Sequence, residues 1–181
     1  MHEVQQKSFI KRQSALQRQY ADSAEDAWIS DHARSHTGNS GDPVRGEIEL
    51  PHHVGKRQQY GIHRAVGGHH DAPNPGDYLC AAMAACLHST LRMVAVRLGI
   101  RILDSEVSVT AKADVRGSLM VDPAVTVGFQ ELHCDVQLKA AADVDKRTLR
   151  MLVEGAERCC VVFQTLRDAT RVTTDWTIDE V

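Results

Sequence analysis

Five cysteines stand at positions 80, 86, 134, 159 and 160. Cys86 closes the small apolar run Cys80-Ala-Ala-Met-Ala-Ala-Cys86, and Cys160 lies in Ala156-Glu-Arg-Cys-Cys-Val-Val-Phe-Gln-Thr-Leu166, far along the chain. A thiol among alanines is inert until something lowers its pKa, and an efficient nucleophile once something does. If the fold joins these two sulfurs, one can attack a peroxide and the other can resolve the product, which is the equipment of a thiol peroxidase. The competing reading, a cysteine as a small buried hydrophobe, stays open for Cys86. Cys86 sits about three turns into its helix, too deep for the helix dipole to act strongly on it. The charge must come from an arginine, which stays charged when buried and offers a planar fork of donors. Arg34, on the first strand-like stretch, and Arg64, just ahead of the helix, are the candidates, and Asp77 at the helix start is the nearest carboxylate by sequence that could orient one of them.

The other thiols read as packing. Cys80 lies six residues before Cys86, about a third of the way around an ideal helix from it, so those two do not pair. Cys159 and Cys160 are neighbours, and a bond between them would strain the ring it closes. Cys160 falls four after Ala156 and is the inward one of the two. Cys134 sits on a strand beside His133.

The ten histidines lack metal-site spacing. His69-His70-Asp71 and His52-His53 occupy loops, His32 and His36 lead into a turn-rich stretch, and there is no CxxC, HExxH, phosphate loop or GxSxG. No metal and no cofactor is expected. The formal charge of −3 argues against a nucleic-acid partner. No uninterrupted apolar run approaches the roughly 18 residues of a membrane span, and Met1-His-Glu-Val-Gln-Gln-Lys7 lacks a signal-peptide core. These features give a cytoplasmic, reducing location as the expectation, where five cysteines are not a disulfide framework. With only eight aromatic residues (three Phe, three Tyr, two Trp), the core must come from aliphatic side chains, in one chain or shared with a second copy.

The elements that must position the thiols follow from pattern. Residues 2–27 carry a weak helical stripe of Phe9, Ile10, Leu16 and Tyr20 and read as an N-terminal helical extension, with the main domain over 28–181. Trp28-Ile29 starts a strand-like stretch. Val44 to Leu50 and Gln59 to Val66 read as a hairpin around a turn at Pro51 to Gly55. Asn74, Pro75 and Asp77 form a helix start signal for a central helix running to Gly99. Glu106 to Asp114 and His133 to Leu138 alternate as strands, joined by a Gly- and Pro-punctuated connection. Asp145 caps a helix from Lys146 to about Cys159 with Leu149, Leu152, Val153 and Ala156 on one face, and Thr170 to Ile178 reads as a last strand. The sum is an α+β architecture.

Two stretches resemble a known family. Pro73-Asn-Pro-Gly-Asp-Tyr-Leu-Cys-Ala-Ala-Met-Ala-Ala-Cys86 is similar to the central-helix motif of the OsmC/Ohr family, N-P-E-x-L-hydrophobic-A-A-x-x-A-A-C. Ala156 to Leu166 is similar to its second motif, A-x-x-x-C-P-V-x-x-x-L. Arg116-Gly117 and Val127-Gly128-Phe129 fit the family's intervening strands, and the resemblance covers about residues 28–178. It departs at Gly76, where the family has Glu, and at Val161, where it has Pro. The resemblance implies an OsmC-like fold with long central helices packed against antiparallel sheets in an intertwined homodimer, with sites at the subunit interface. It further implies reduction of organic hydroperoxides by peroxidatic Cys86 and resolving Cys160, activation by Arg34 with Arg64 as fallback, and electrons from a small or lipoyl-linked dithiol. Tyr78, Leu79, Met83 and Phe163 would line the substrate side and favour a greasy hydroperoxide. A non-catalytic binding module, or a redox sensor on the same fold, is the other expectation.

Overall fold

A computed structural model describes residues 2–36, 41–50, 57–142 and 144–178. Helix α1 (His2–Asp22) is followed by a three-stranded antiparallel sheet in the order β1 (Arg34–His36), β2 (Arg45–Glu49), β3 (Arg57–Gly61). The central helix α2 (Pro75–Arg97) comes next, then the long hairpin β4 (Ile102–Lys112) and β5 (Glu131–Ala140), and finally α3 (Lys146–Cys159) and α4 (Val161–Arg167). The turn expected at Pro51 to Gly55, with His52 and His53, lies outside the described residues.

Helix α2 begins as its residue types dictate. Asn74 accepts hydrogen bonds from the N–H groups of Gly76 (2.8 Å) and Asp77 (3.3 Å), and the Asp77 carboxylate accepts from the Asn74 N–H (2.9 Å). This reciprocal capping box satisfies N–H groups that the helix itself cannot, and Pro75 fills the first position, where a missing N–H costs nothing. The helix ends at Gly99, whose φ of +70° suits a residue without Cβ. The Ile100 N–H then reaches the Ala95 carbonyl (2.9 Å) and the Ile100 side chain is buried, so stop signal and core contact coincide. By length and composition α2 could cross a membrane. Here Met83, Leu87, Thr90, Leu91 and Ala95 form a buried stripe along it, and it packs on β4, α3 and α4.

The core consists of Leu87, Leu91, Ala95, Ile100, Leu152, Ala156 and Cys160, flanked by residues of β4, β5 and α4 such as Val107, Cys134, Leu138 and Phe163. Helix α3 begins where expected: Asp145 accepts from the N–H groups of Arg147 (2.8 Å) and Thr148 (3.0 Å). Its inward face is narrower than the sequence pattern suggests. Leu152 and Ala156 are buried, but Val153 is half exposed.

Four expectations are corrected. Trp28 and Ile29 are exposed coil, and the strand starts at Arg34. The returning strand stops at Gly61, after which Arg64–Val66 form a short 3-10 turn. Arg116-Gly117 and Val127-Gly128-Phe129 lie in the irregular connection between β4 and β5, not in strands. Thr170 to Ile178 forms no strand, and Val172, Trp176 and Ile178 are all largely exposed. Alternation prepares a segment to pair, but a strand exists only where another supplies its hydrogen-bond ladder, and among the described residues none does so.

Helix α1 forms and lies mostly exposed. The Arg97 guanidinium of α2 donates to the Gln13 and Gln17 side-chain oxygens of α1 (both 2.8 Å), and the Gln19 amide of α1 donates to Asp26 beyond the helix end (3.0 Å).

Candidate functional site

Cys160 is the hinge of the site. Helix α3 ends at Cys159, Cys160 alone adopts an extended conformation (φ −81°, ψ 108°), and α4 starts at Val161. One extended residue between two helices turns the Cys160 side chain into the core, where it is 0% exposed, while Cys159 stays on the surface. The Gln164 side chain clamps this junction by donating to the Glu157 carbonyl (2.8 Å). Val161, where the family has proline, occupies the first position of α4, the place proline favours in a helix; valine there serves the same turn.

Cys86, partly buried on α2, packs against the same core and lies beside Cys160. Burial pushes the Cys160 thiol up, and it outweighs the rest. The Phe163 N–H, and more weakly the Val162 N–H, at the start of α4 pull it down, while the adjacent Cys86 sulfur pushes it up. These groups act across short distances without closing a regular side-chain cap. At neutral pH Cys160 is therefore a protonated, desolvated thiol next to a more accessible one.

The other residues named from sequence are distributed as follows. Asp77 is engaged in the α2 capping box, where its carboxylate also accepts from the Asn74 amide (2.6 Å). Arg34 lies exposed on β1 in register with Glu49, and Arg64 lies exposed in the 3-10 turn before α2. Neither is among the groups acting on Cys160. Met83 is in the buried stripe, and Leu79 is partly buried. Tyr78 points to β3, its hydroxyl donating to the Gln59 carbonyl (3.3 Å). Phe163 packs on the core beside Cys160, with the Arg167 guanidinium 6.0 Å from its ring centre. The structure thus brings together Cys86, Cys160 and Phe163, and holds Tyr78, Asp77, Arg34 and Arg64 nearer the N-terminal sheet and the start of α2.

Two features were not legible beforehand. At Gly76 an added Cβ would lie 3.0 Å from the Phe129 ring, so Phe129, from the β4–β5 connection, covers the start of α2 where the family carries its glutamate. Arg45 on β2 pairs with Asp42 (3.4 Å) and with Asp71, and His69 pairs with Asp42 (3.1 Å), tying the sheet to the loop before α2. The Val44 N–H, and then His69 and Arg45, hold the Asp42 carboxyl below its usual range. Among the described residues no group of three or more His, Cys, Asp or Glu side chains gathers as a metal site. A shallow, polar depression of about 260 Å³ on the β4–β5 hairpin, lined by Asp104, Glu106, Gln137, Leu138 and Lys139, contains no thiol.

The OsmC-like protein family matches residues 68–175, a span that holds both Cys86 and Cys160. The chain belongs to that family. Among solved structures, an OsmC-like protein from Mycoplasma pneumoniae superposes with a TM-score of 0.60 at 12% identity, over 78% of this chain and 89% of the other. The organic hydroperoxide resistance protein OsmC from Legionella pneumophila gives 0.54 at 21% identity, over 78% and 91%. The organic hydroperoxide resistance protein OhrB of Bacillus subtilis gives 0.51 at 21% identity, over 78% and 93%. At such identities the likeness is one of fold: the α+β OsmC-like architecture, here with antiparallel sheets, of which the β4–β5 hairpin packs on α2. Among curated proteins, none matches this chain.

Proposed function

We propose that this OsmC-like protein is a thiol-dependent peroxidase that reduces organic hydroperoxides to alcohols, with Cys86 as the attacking thiol and Cys160 as the resolving one. The observation that carries the reading is the asymmetry of the pair: adjacent sulfurs on α2 and at the start of α4, one partly accessible and the other fully buried with its pKa pushed up. The accessible Cys86 thiolate attacks the distal peroxide oxygen. The S–O bond forms, the O–O bond breaks, and the alkoxide leaves as the alcohol after taking a proton. The Cys160 thiol then attacks the sulfenic sulfur. Its proton leaves with the hydroxyl as water, and a Cys86–Cys160 disulfide results. A dithiol donor, small or lipoyl-linked, restores both thiols by exchange, and in that step the donor is oxidised. Desolvation suits Cys160 to its part, because a thiol that waits protonated does not compete for the peroxide.

On this reading the functional unit is a homodimer in a reducing cytoplasm, with residues 1–27 as an extension outside the catalytic domain of 28–181. Arg34, or failing it Arg64, supplies the guanidinium that holds the Cys86 thiolate. In support, both lie on the N-terminal part of the chain, which buries little of itself alone. Phe163, with Tyr78, Leu79 and Met83, biases the site toward apolar hydroperoxides. The test is consumption of cumene or t-butyl hydroperoxide with dithiothreitol. Wild type turns over much faster than Cys86→Ser; equal rates would refute the mechanism. Formation of the disulfide with negligible turnover would instead assign the protein as a sensor.

A further inference from the structure

A second pair of thiols lies outside that chemistry. On α2 the buried stripe includes Met83, Leu87 and Leu91, and Cys80, three residues before Met83 and seven before Leu87, extends the same stripe toward the start of the helix. On β5, Cys134 stands in register with Val109 of β4 and packs against the core, on the strand face turned toward α2. Helix period and strand alternation therefore deliver both thiols to one interface between α2 and the sheet. Both are free and partly buried. Their proximity is felt electrostatically: burial first, then Cys80, then Glu157 of α3, push the Cys134 thiol up. Cys86, six residues after Cys80, is rotated off this line toward α4 and Cys160.

We propose that Cys80 and Cys134 form a redox-responsive dithiol that an organic hydroperoxide closes into a disulfide, fastening α2 to β5. In this latch Cys80, on the helix, is the attacking thiol and Cys134, on the strand, is the second partner. The Cys80 thiolate attacks the hydroperoxide, forming the S–O bond and releasing the alcohol. The Cys134 thiol then displaces hydroxyl from the sulfenic acid as water. One peroxide is reduced and two thiols are oxidised. The latch needs only the hydroperoxide, and it does not depend on turnover at Cys86 and Cys160.

The experiment treats the full-length wild-type chain with excess t-butyl hydroperoxide, alkylates the remaining thiols and maps the peptides by mass. The expected product has two linkages, Cys80–Cys134 and Cys86–Cys160, with a loss of about four mass units and Cys159 alone alkylated. A Cys86→Ser/Cys160→Ser variant is expected to form the Cys80–Cys134 linkage and to melt at a higher temperature once oxidised, a rise that adding Cys134→Ser removes. Free, alkylatable Cys80 and Cys134 after oxidation of the wild type would overturn the proposal, whether or not the double variant folds. A Cys86–Cys160 linkage alone leaves the peroxidase reading intact and sinks this one; a Cys80–Cys134 linkage alone does the reverse.

Discussion

From Pro75 to Arg167 the chain packs on itself, and before Pro75 it hardly does. Every core side chain, Cys160 included, lies between Met83 and Cys160, whereas among the described residues ahead of Pro75 only Gly46 and Gly61 are buried. The difference separates two kinds of requirement. The thiol pair rests on a scaffold that one chain completes by itself. The arginines proposed to activate it, Arg34 and Arg64, rest on a sheet and a turn that leave their side chains in solvent. A site assembled from both parts requires the N-terminal part to gain a neighbour, and a second copy is the neighbour we infer.

The largest effect expected is on chemistry. Cys86→Ser should remove most of the hydroperoxide consumption, leaving only the slower oxidation of the remaining thiols, while keeping the melting temperature within a few degrees of wild type, because the side chain is nearly isosteric and only partly buried. Steady-state peroxide assays with a thermal melt on the same samples check it. Next comes the scaffold: Leu152, with no exposed surface, should cost about 2–5 kcal/mol when cut to alanine, read from urea midpoints. The same cut at Val153, half exposed one residue along, should cost far less, which sharpens the distinction between inward and outward faces of α3.

Arg34→Ala probes the other half. An exposed arginine without a role in the fold should leave stability within about 0.5 kcal/mol. If its guanidinium holds the thiolate, the loss of one charge-assisted hydrogen bond, about 1.5–3 kcal/mol, slows turnover roughly 10- to 150-fold. Rates equal to wild type for both Arg34→Ala and Arg64→Ala would remove the activating role from this part of the chain. Asn74→Ala, which breaks the capping box at the boundary of the two regions, should cost about 1 kcal/mol.

How much of this was readable from residue types depended on how local the determinants are. The α2 cap, its Gly99 stop and the Asp145 cap were all legible because each is a contact within a few residues. The inward turn of Cys160 was legible from its spacing to Ala156, though not the single extended residue that produces it. Asp77 was read both as part of the helix start signal and as a carboxylate able to orient an arginine; the first is a contact within three residues and was legible, its carboxylate accepting from the Asn74 N–H. The strand expected over Thr170 to Ile178 illustrates the opposite limit: alternation is encoded in the segment, but the strand needs a partner the segment does not specify. Phe129 over Gly76 is a contact between residues far apart in sequence and left no local signal.

A smaller effect lies in alkaline stability. Burial raises Cys160 and Cys134 above their ordinary thiol range, so the folded state holds those protons more tightly than the unfolded chain. That contribution is whole below the ordinary thiol pKa of about 8.5 and fades as pH climbs through the raised folded values. Urea midpoints should therefore decline from about pH 8.5 upward, less steeply in Cys160→Ser. A midpoint that rises over that range would reverse the sign argued here.

The central claim is that Cys86 and Cys160 work as one unit, an accessible thiol that is oxidised and a buried one that resolves it. Peptide mapping after a single equivalent of t-butyl hydroperoxide per chain, quenched with an alkylating reagent, tests it most directly. The account predicts a Cys86–Cys160 cross-linked peptide as the first product, with a loss of about two mass units. Oxidation that begins at Cys159 or elsewhere on the surface, with Cys86 and Cys160 both still alkylated on unfolding, would contradict it.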